Sequence, residues 1–223
     1  KIWTTLAHDA NWIYVLARTD KAVKKQEGIS FFLVPMSTPG ITVRPIVTID
    51  LNEEFCQTFF DNVRIPKANI VGAPNKGWTM AKALLGFERI GSGSPRQASF
   101  ALKGLRNVAE RMGVWDDAQF QDRYARLRIE LEDHKDLYET FVEKVRRGEV
   151  LGPDVSMLKI WATETYSRIC GLLCEAADEN GASRADLTPG DAPCNAVAPM
   201  LYSMITTIYG GSNEIQRNIL AAQ

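Results

Sequence analysis

The chain has 223 residues, 45% of them hydrophobic and 24% charged, with 26 Lys plus Arg against 27 Asp plus Glu and a formal charge of −1. At about 100–200 residues per domain this length suits one large domain or two modest ones. The balanced charge lacks the basic excess that a phosphate backbone or an anionic lipid surface demands, which argues against a nucleic-acid partner, and no run of about 18 apolar residues offers a membrane span. The four cysteines, Cys56, Cys170, Cys174 and Cys194, have no zinc-site spacing. Cys170 and Cys174 stand at i and i+4 in an apolar helical pattern and read as small buried thiols of a reducing compartment. Lys1-Ile2-Trp3 matches neither a secretory n-region nor an Arg-rich transit peptide, so the chain reads as a piece of a longer one, with the cytoplasm expected ahead of the mitochondrial matrix.

The first third reads as strands. Trp12-Ile13-Tyr14-Val15-Leu16-Ala17 is apolar on both faces, and Ile29-Ser30-Phe31-Phe32-Leu33-Val34 runs between Gly28 and Pro35. A turn at Thr38-Pro39-Gly40 leads into Ile41-Thr42-Val43-Arg44, and Phe55-Cys56-Gln57-Thr58-Phe59-Phe60 follows. Short strands so spaced suit a small antiparallel sandwich or barrel. The Gly- and Pro-containing stretch 71–77 marks a boundary, giving a β domain over residues 1–72 and a helical domain over 73–223.

The second part has helical periodicity. Tyr124, Leu127, Leu131, His134, Tyr138, Phe141 and Val145 recur at steps of three and four, the stripe of a long helix in a bundle. His134, lying in that stripe, reads as a core histidine with one hydrogen bond. A helix from 155 to about 177 places Leu158, Trp161, Thr165, Ile169, Leu172 and Leu173 on its apolar side, with Gly181 as its stop. Residues 180–193 read as a loop, and a last helix from about 196 runs into Ile208-Tyr209. The fold class is therefore α+β: a small antiparallel β-sandwich or barrel followed by an up-down bundle of the four-helix type.

Three segments could carry chemistry. Trp78, Ala81 and Leu85 precede Glu88 on one helical face, so a carboxylate stands where an apolar side chain is expected. Burial there would disfavour the charged form and suit the group to general-base work, while Gly91 and Ser92 leave space in front of it; a salt bridge at a bundle edge is the plainer alternative. In Tyr209-Gly210-Gly211-Ser212-Asn213-Glu214 two glycines free the backbone, and the residues after them can cap a helix, ordinary or aimed at a ligand. At Lys1-Ile2-Trp3-Thr4-Thr5 an aromatic face and two hydroxyls are what a flat heteroaromatic cofactor needs, or simply part of a β core.

Taken together, Lys1-Ile2-Trp3-Thr4-Thr5, Gly28-Ile29-Ser30-Phe31-Phe32-Leu33-Val34, Phe59-Phe60-Asp61-Asn62-Val63-Arg64-Ile65-Pro66, Phe87-Glu88-Arg89 and Ile208-Tyr209-Gly210-Gly211-Ser212-Asn213-Glu214-Ile215-Gln216-Arg217 resemble the acyl-CoA dehydrogenase family. The resemblance implies a middle β domain and a C-terminal helical domain, without the family's N-terminal helical domain. It implies that FAD takes a hydride from the β-carbon of an acyl-CoA while a glutamate removes the α-proton, giving a trans-2-enoyl-CoA. Trp3 and Thr5 match the positions that shield the flavin and bond its edge, and Ser212 and Glu214 match positions near FAD. The amide of Gly210 matches the donor that polarises the thioester carbonyl. Many members carry their base where Gly210 stands; Glu88 matches the alternative position of the isovaleryl- and long-chain-type branch, with Arg89 supporting it and Tyr209 lining the acyl pocket.

The resemblance further implies an electron-transfer flavoprotein as acceptor and a homodimer or homotetramer; an oxidase passing electrons to oxygen is another member type. Two stretches depart from the family pattern. Glu110-Arg111 is followed by Met112-Gly113-Val114-Trp115 rather than by the Thr-aromatic pair that reaches FAD across a dimer, and residues 177–185 lack the Gly-rich adenine motif. Such departures suit a non-catalytic partner subunit of a hetero-oligomer.

Overall fold

The computed structural model describes residues 1–185 and 195–222. Cys194 and the predicted loop from residue 186 to 193 lie outside the described residues. Two compact units, Lys1–Gly86 and Phe87–Gln223, divide within a helix, later than the 72/73 boundary suggested by composition.

The first unit holds two three-stranded antiparallel sheets. One has the order β1 (Thr4–Thr5), β5 (Phe55–Phe60), β4 (Ile41–Ile46); the other has β2 (Trp12–Arg18), β3 (Ile29–Pro35), β6 (Ile70–Val71). In the full seven-pair register of β2 with β3, Trp12 faces Pro35 and Arg18 faces Ile29. Phe31, Val34, Cys56 and Ala7 are buried, with Ser30 and Thr58 fully enclosed beside them. Ser30 survives burial because its hydroxyl accepts the Asn75 amide at 2.8 Å and bonds Thr19 at 2.7 Å.

Helix α1 (Gly77–Ser92) begins against this sheet. A Cβ on Gly77 would lie 2.5 Å from the Phe31 nitrogen, so only glycine lets the helix start so close to β3. This approach is why the first turns of α1 group with the β unit.

The second unit is helical. It contains α2 (Arg96–Arg111), α3 (Ala118–Arg146), α4 (Ser156–Ala176), α5 (Val197–Thr206) and α6 (Asn213–Ala221). Asp117 caps α3 by accepting the Phe120 N–H at 2.8 Å. α4 packs against α2, α3, α5 and α6, and Leu105, Val108, Ala109, Leu131, Ile169 and Cys170 form the core among them. Burial pushes the Cys170 thiol up to about 12, which keeps it protonated and inert.

Three expectations are corrected. The helix expected to run into Ile208-Tyr209 ends earlier, at Thr206, and α6 follows after the left-handed glycines Gly210 (φ 64) and Gly211 (φ 83). Gly181 is not the stop of α4, which ends at Ala176; it lies in a following 3-10 turn, where a Cβ would fall 2.2 Å from the Cys174 carbonyl oxygen. His134 is fully buried as expected, yet neither ring nitrogen has a hydrogen-bond partner among the described residues. The Gly93 and Leu158 backbones lie near the ring, but burial dominates and pulls the imidazole below its usual 6.5.

Candidate functional site

Each unit contributes its own set of candidate residues. In the first, Trp3, Thr4 and Thr5 line a groove of about 460 Å³ together with Trp12 and Tyr14. β1 is held by pairing Thr4 with Cys56 and Thr5 with Phe55, and the Thr58 hydroxyl donates to Thr4 Oγ1 at 3.3 Å. Thr5 keeps an exposed side chain. Trp3 is 59% exposed and sits at φ 63, a left-handed conformation that a bulky residue rarely adopts. Strain of this kind persists where the surroundings fix it; here Phe55 meets the Trp3 ring edge-on at 6.3 Å. Aromatic walls beside short hydroxyls fit a flat heteroaromatic ring.

In the second unit the C-terminal end of α1 meets the turn between α5 and α6. Glu88 and Ser92 are one helical turn apart, and the Ser92 hydroxyl donates to the Glu88 carbonyl at 2.6 Å. A Cβ on Gly210 would lie 3.3 Å from Ser92 Oγ. The structure thus brings Gly210 to within a turn of Glu88. Among the described residues no group accepts the Gly210 N–H, and a Cβ on Gly91 would meet open space. Gly210 and Glu88 are both exposed residues.

That exposure corrects one premise. Glu88 was expected in a dry pocket, but its side chain faces solvent, and Trp78 and Leu85 of the same stripe are 37% and 46% exposed, leaving only Ala81 buried. Periodicity says which residues share a face; desolvation needs a second surface laid over it. Arg89 is half-buried and forms no ion pair with Glu88 among the described residues.

Tyr209 is half-buried and its amide donates to the Ile205 carbonyl at 3.1 Å, continuing the last turn of α5. Ser212 caps α6, its hydroxyl accepting the Ile215 N–H at 3.4 Å. Glu214 stands in the first turn of α6; its own amide and the Ser212 hydroxyl hold its carboxyl below the usual carboxylate range, as helix N-termini do for acids.

Sequence reasoning missed the residues behind this turn. Lys159 is 2% exposed, and its ammonium donates to Asn213 Oδ1 at 2.7 Å. The Asn213 amide nitrogen donates to Thr163 at 3.1 Å and to Glu164 at 3.2 Å, and the Gln216 side chain donates to the Gly210 carbonyl at 3.0 Å. A signal existed: Lys159, Thr163, Tyr166, Cys170 and Leu173 recur at steps of four and three, all buried.

Comparison with known proteins agrees with this architecture. The acyl-CoA dehydrogenase middle-domain model matches residues 1–63, and the acyl-CoA dehydrogenase C-terminal-domain model matches residues 75–223. The chain belongs to the acyl-CoA dehydrogenase family, whose members are FAD-dependent oxidoreductases. It is 38% identical to acyl-CoA dehydrogenase IpdE1 of Mycobacterium tuberculosis, over 99% of this chain and 56% of that protein. Among solved structures, the Tcur3481-Tcur3483 steroid ACAD superposes with a TM-score of 0.90 at 27% identity, over all of this chain and 58% of that one. The ChsE4-ChsE5 complex from Mycobacterium tuberculosis gives 0.81 at 28% identity, over 98% and 58%. The chain spans about half the length of the IpdE1 proteins it matches.

Proposed function

We propose that the full-length protein dehydrogenates an acyl-CoA thioester to a trans-2-enoyl-CoA, with Glu88 as the base that takes the α-proton. The observation that carries this reading is the placement of Gly210 against Ser92, one turn from Glu88, with its N–H free of any partner among the described residues. A thioester oxygen bonded to that amide becomes a better electron sink, so the adjacent α-hydrogen becomes more acidic, and a carboxylate one helical turn away is placed to remove it. Tyr209, next to the amide, lines the acyl group, and Arg89 adds positive potential beside the base.

Bound FAD supplies the acceptor for the hydride leaving the β-carbon. Trp3 and Thr5 are the first unit's candidates for holding it, and Ser212 and Glu214 are those of the second. Electron-transfer flavoprotein is the acceptor that fits this chemistry, in a homodimeric or homotetrameric cytoplasmic enzyme. The solved relative titled as a steroid ACAD makes a bulky polycyclic acyl group a candidate substrate.

A second reading, a partner subunit of a hetero-oligomer, is favoured by a specific feature. Where the family's cofactor-reaching pair is expected, Trp115 turns onto its own unit. It packs edge-on against Phe120 and Tyr124 at 6.1 and 5.0 Å, with the Arg106 guanidinium 4.9 Å from its ring centre. The neighbour titled as the ChsE4-ChsE5 complex points the same way.

An absorption spectrum of the full-length protein, before and after adding straight-chain, branched and steroid acyl-CoAs, separates these readings. A yellow protein bleached by one of them is expected. A colourless protein that becomes yellow only with a second chain supports the partner reading and overturns the first.

A further inference from the structure

Lys159 is the most deeply buried charged side chain described in the helical unit, and the catalytic reading gives it no role. The residue is 2% exposed, and its ammonium donates to a neutral acceptor, Asn213 Oδ1, at 2.7 Å. Burying an ammonium against a single amide oxygen is costly, and a hydrophobic side chain of similar volume would often pack there at least as stably. The position at the N-terminal end of α6 makes matters worse, since the helix dipole repels a cation.

What the lysine does hold is the turn. The segment 209–213 is fixed from several sides: the Asn213 amide donates to the Thr207 carbonyl at 3.0 Å, Gln216 bonds the Gly210 carbonyl at 3.0 Å, and Gly210 backs onto Ser92. The Asn213 side chain fixes the remaining side, through Lys159, Thr163 and Glu164 of α4. We propose that Lys159 is a positioning residue, which through Asn213 locks the 210–211 turn so that the Gly210 N–H keeps its aim at a ligand carbonyl. This rests on the reading of Gly210 as the carbonyl donor.

The charged groups facing the ammonium are Glu164 from α4 and Glu214 from α6, and Arg217 of α6 pairs with Glu164 at 2.7 Å. Burial outweighs both carboxylates and pulls the lysine down to about 8. The bond to Asn213 persists in either protonation state, since both ammonium and amine can donate.

The test uses the full-length, FAD-loaded protein and an acyl-CoA labelled with ¹³C at the thioester carbonyl. Its carbonyl infrared band is read when bound to wild type, Lys159→Met and Lys159→Gln, alongside FAD content, thermal stability and the rate of flavin reduction. In wild type the band shifts down on binding. Lys159→Met is expected to lose most of that downshift and about tenfold or more in reduction rate, as small misplacements of a donor do, with FAD content unchanged and melting temperature unchanged or higher. Lys159→Gln, which keeps a donor toward Asn213, is expected to recover most of both. An unchanged band in Lys159→Met overturns the proposal, whereas a wild-type band that never shifts overturns the reading of Gly210 instead. If Lys159→Met fails to fold, Asn213→Ala is expected to lose the same downshift, and a wild-type band in that variant overturns the proposal equally.

Discussion

His134 and Trp161 lie nearly parallel, ring centres 6.0 Å apart and planes 21° from each other, and neither the imidazole nitrogens nor the indole N–H has a hydrogen-bond partner among the described residues. The stack therefore holds its place by packing. Burial keeps the imidazole neutral in the native state, while the unfolded chain takes up a proton near its usual 6.5. More protons bound by the unfolded state means stability that is complete above that pH and lost as the pH falls through the lower native value. Urea melts from pH 7 to pH 5 should show this loss in wild type and a shallower one in His134→Phe. At pH 7 that variant should match wild type or exceed it, since it removes two unpaired polar atoms. An equally steep loss in His134→Phe would remove this imidazole from the acid response.

Replacing the base tests the chemistry most directly. Glu88→Gln in the full-length protein should retain the yellow cofactor and lose about 10²- to 10⁴-fold in the rate of flavin bleaching by acyl-CoA. Because Glu88 is exposed, the substitution should leave the melting temperature within about a degree or two of wild type. Normal bleaching would take the base role away from this residue.

Gly211 should tolerate no side chain. Its φ of 83 strains any L-residue by about 1–2 kcal/mol, and a Cβ would lie 2.8 Å from Gln216 Nε2, displacing the donor that holds the Gly210 carbonyl. Gly211→Ala should cost about 2 kcal/mol in denaturant melts. A variant as stable as wild type would mean that the turn has another conformation open to it.

Lys159 gives a pH signature of the same sign as that of His134, but at higher pH. Its native value near 8 lies below the ordinary 10.5, so between these the unfolded chain binds the extra proton and stability rises with pH. The difference in stability between wild type and Lys159→Met should therefore shift in favour of wild type from pH 8 to pH 10.5. A difference that stays flat across this range would mean that the ammonium is not desolvated.

Much of the architecture was legible because it is written in periodicity. The long α3 stripe holds Leu127, Leu131, His134 and Phe141 inside, and the strands at Trp12, Ile29, Ile41 and Phe55 all form. β1 and β6 escaped detection because two residues carry no period. Their existence depends on neighbours far along the chain: Cys56 and Phe55 for β1, Phe31 and Phe32 for β6. At the candidate site, the residue types at 88 and 209–214 stood out by motif. Lys159 did not, because a lysine between Leu158 and Ile160 is easily taken for a solvent-facing residue unless its own steps of four and three are followed down the helix. The misjudged burial of Glu88 has a related cause, since one helix face says nothing of what lies across from it.

The amide of Gly210 also bears on how this position can drift over generations. A codon change replaces side chains, whereas the peptide N–H is lost only to proline, so the hydrogen-bonding capacity there is almost beyond the reach of point mutation. The left-handed φ and the nearby Ser92 hydroxyl leave the backbone shape far more vulnerable. Deleterious alleles at this locus are thus expected to act by bending the donor away rather than by erasing it.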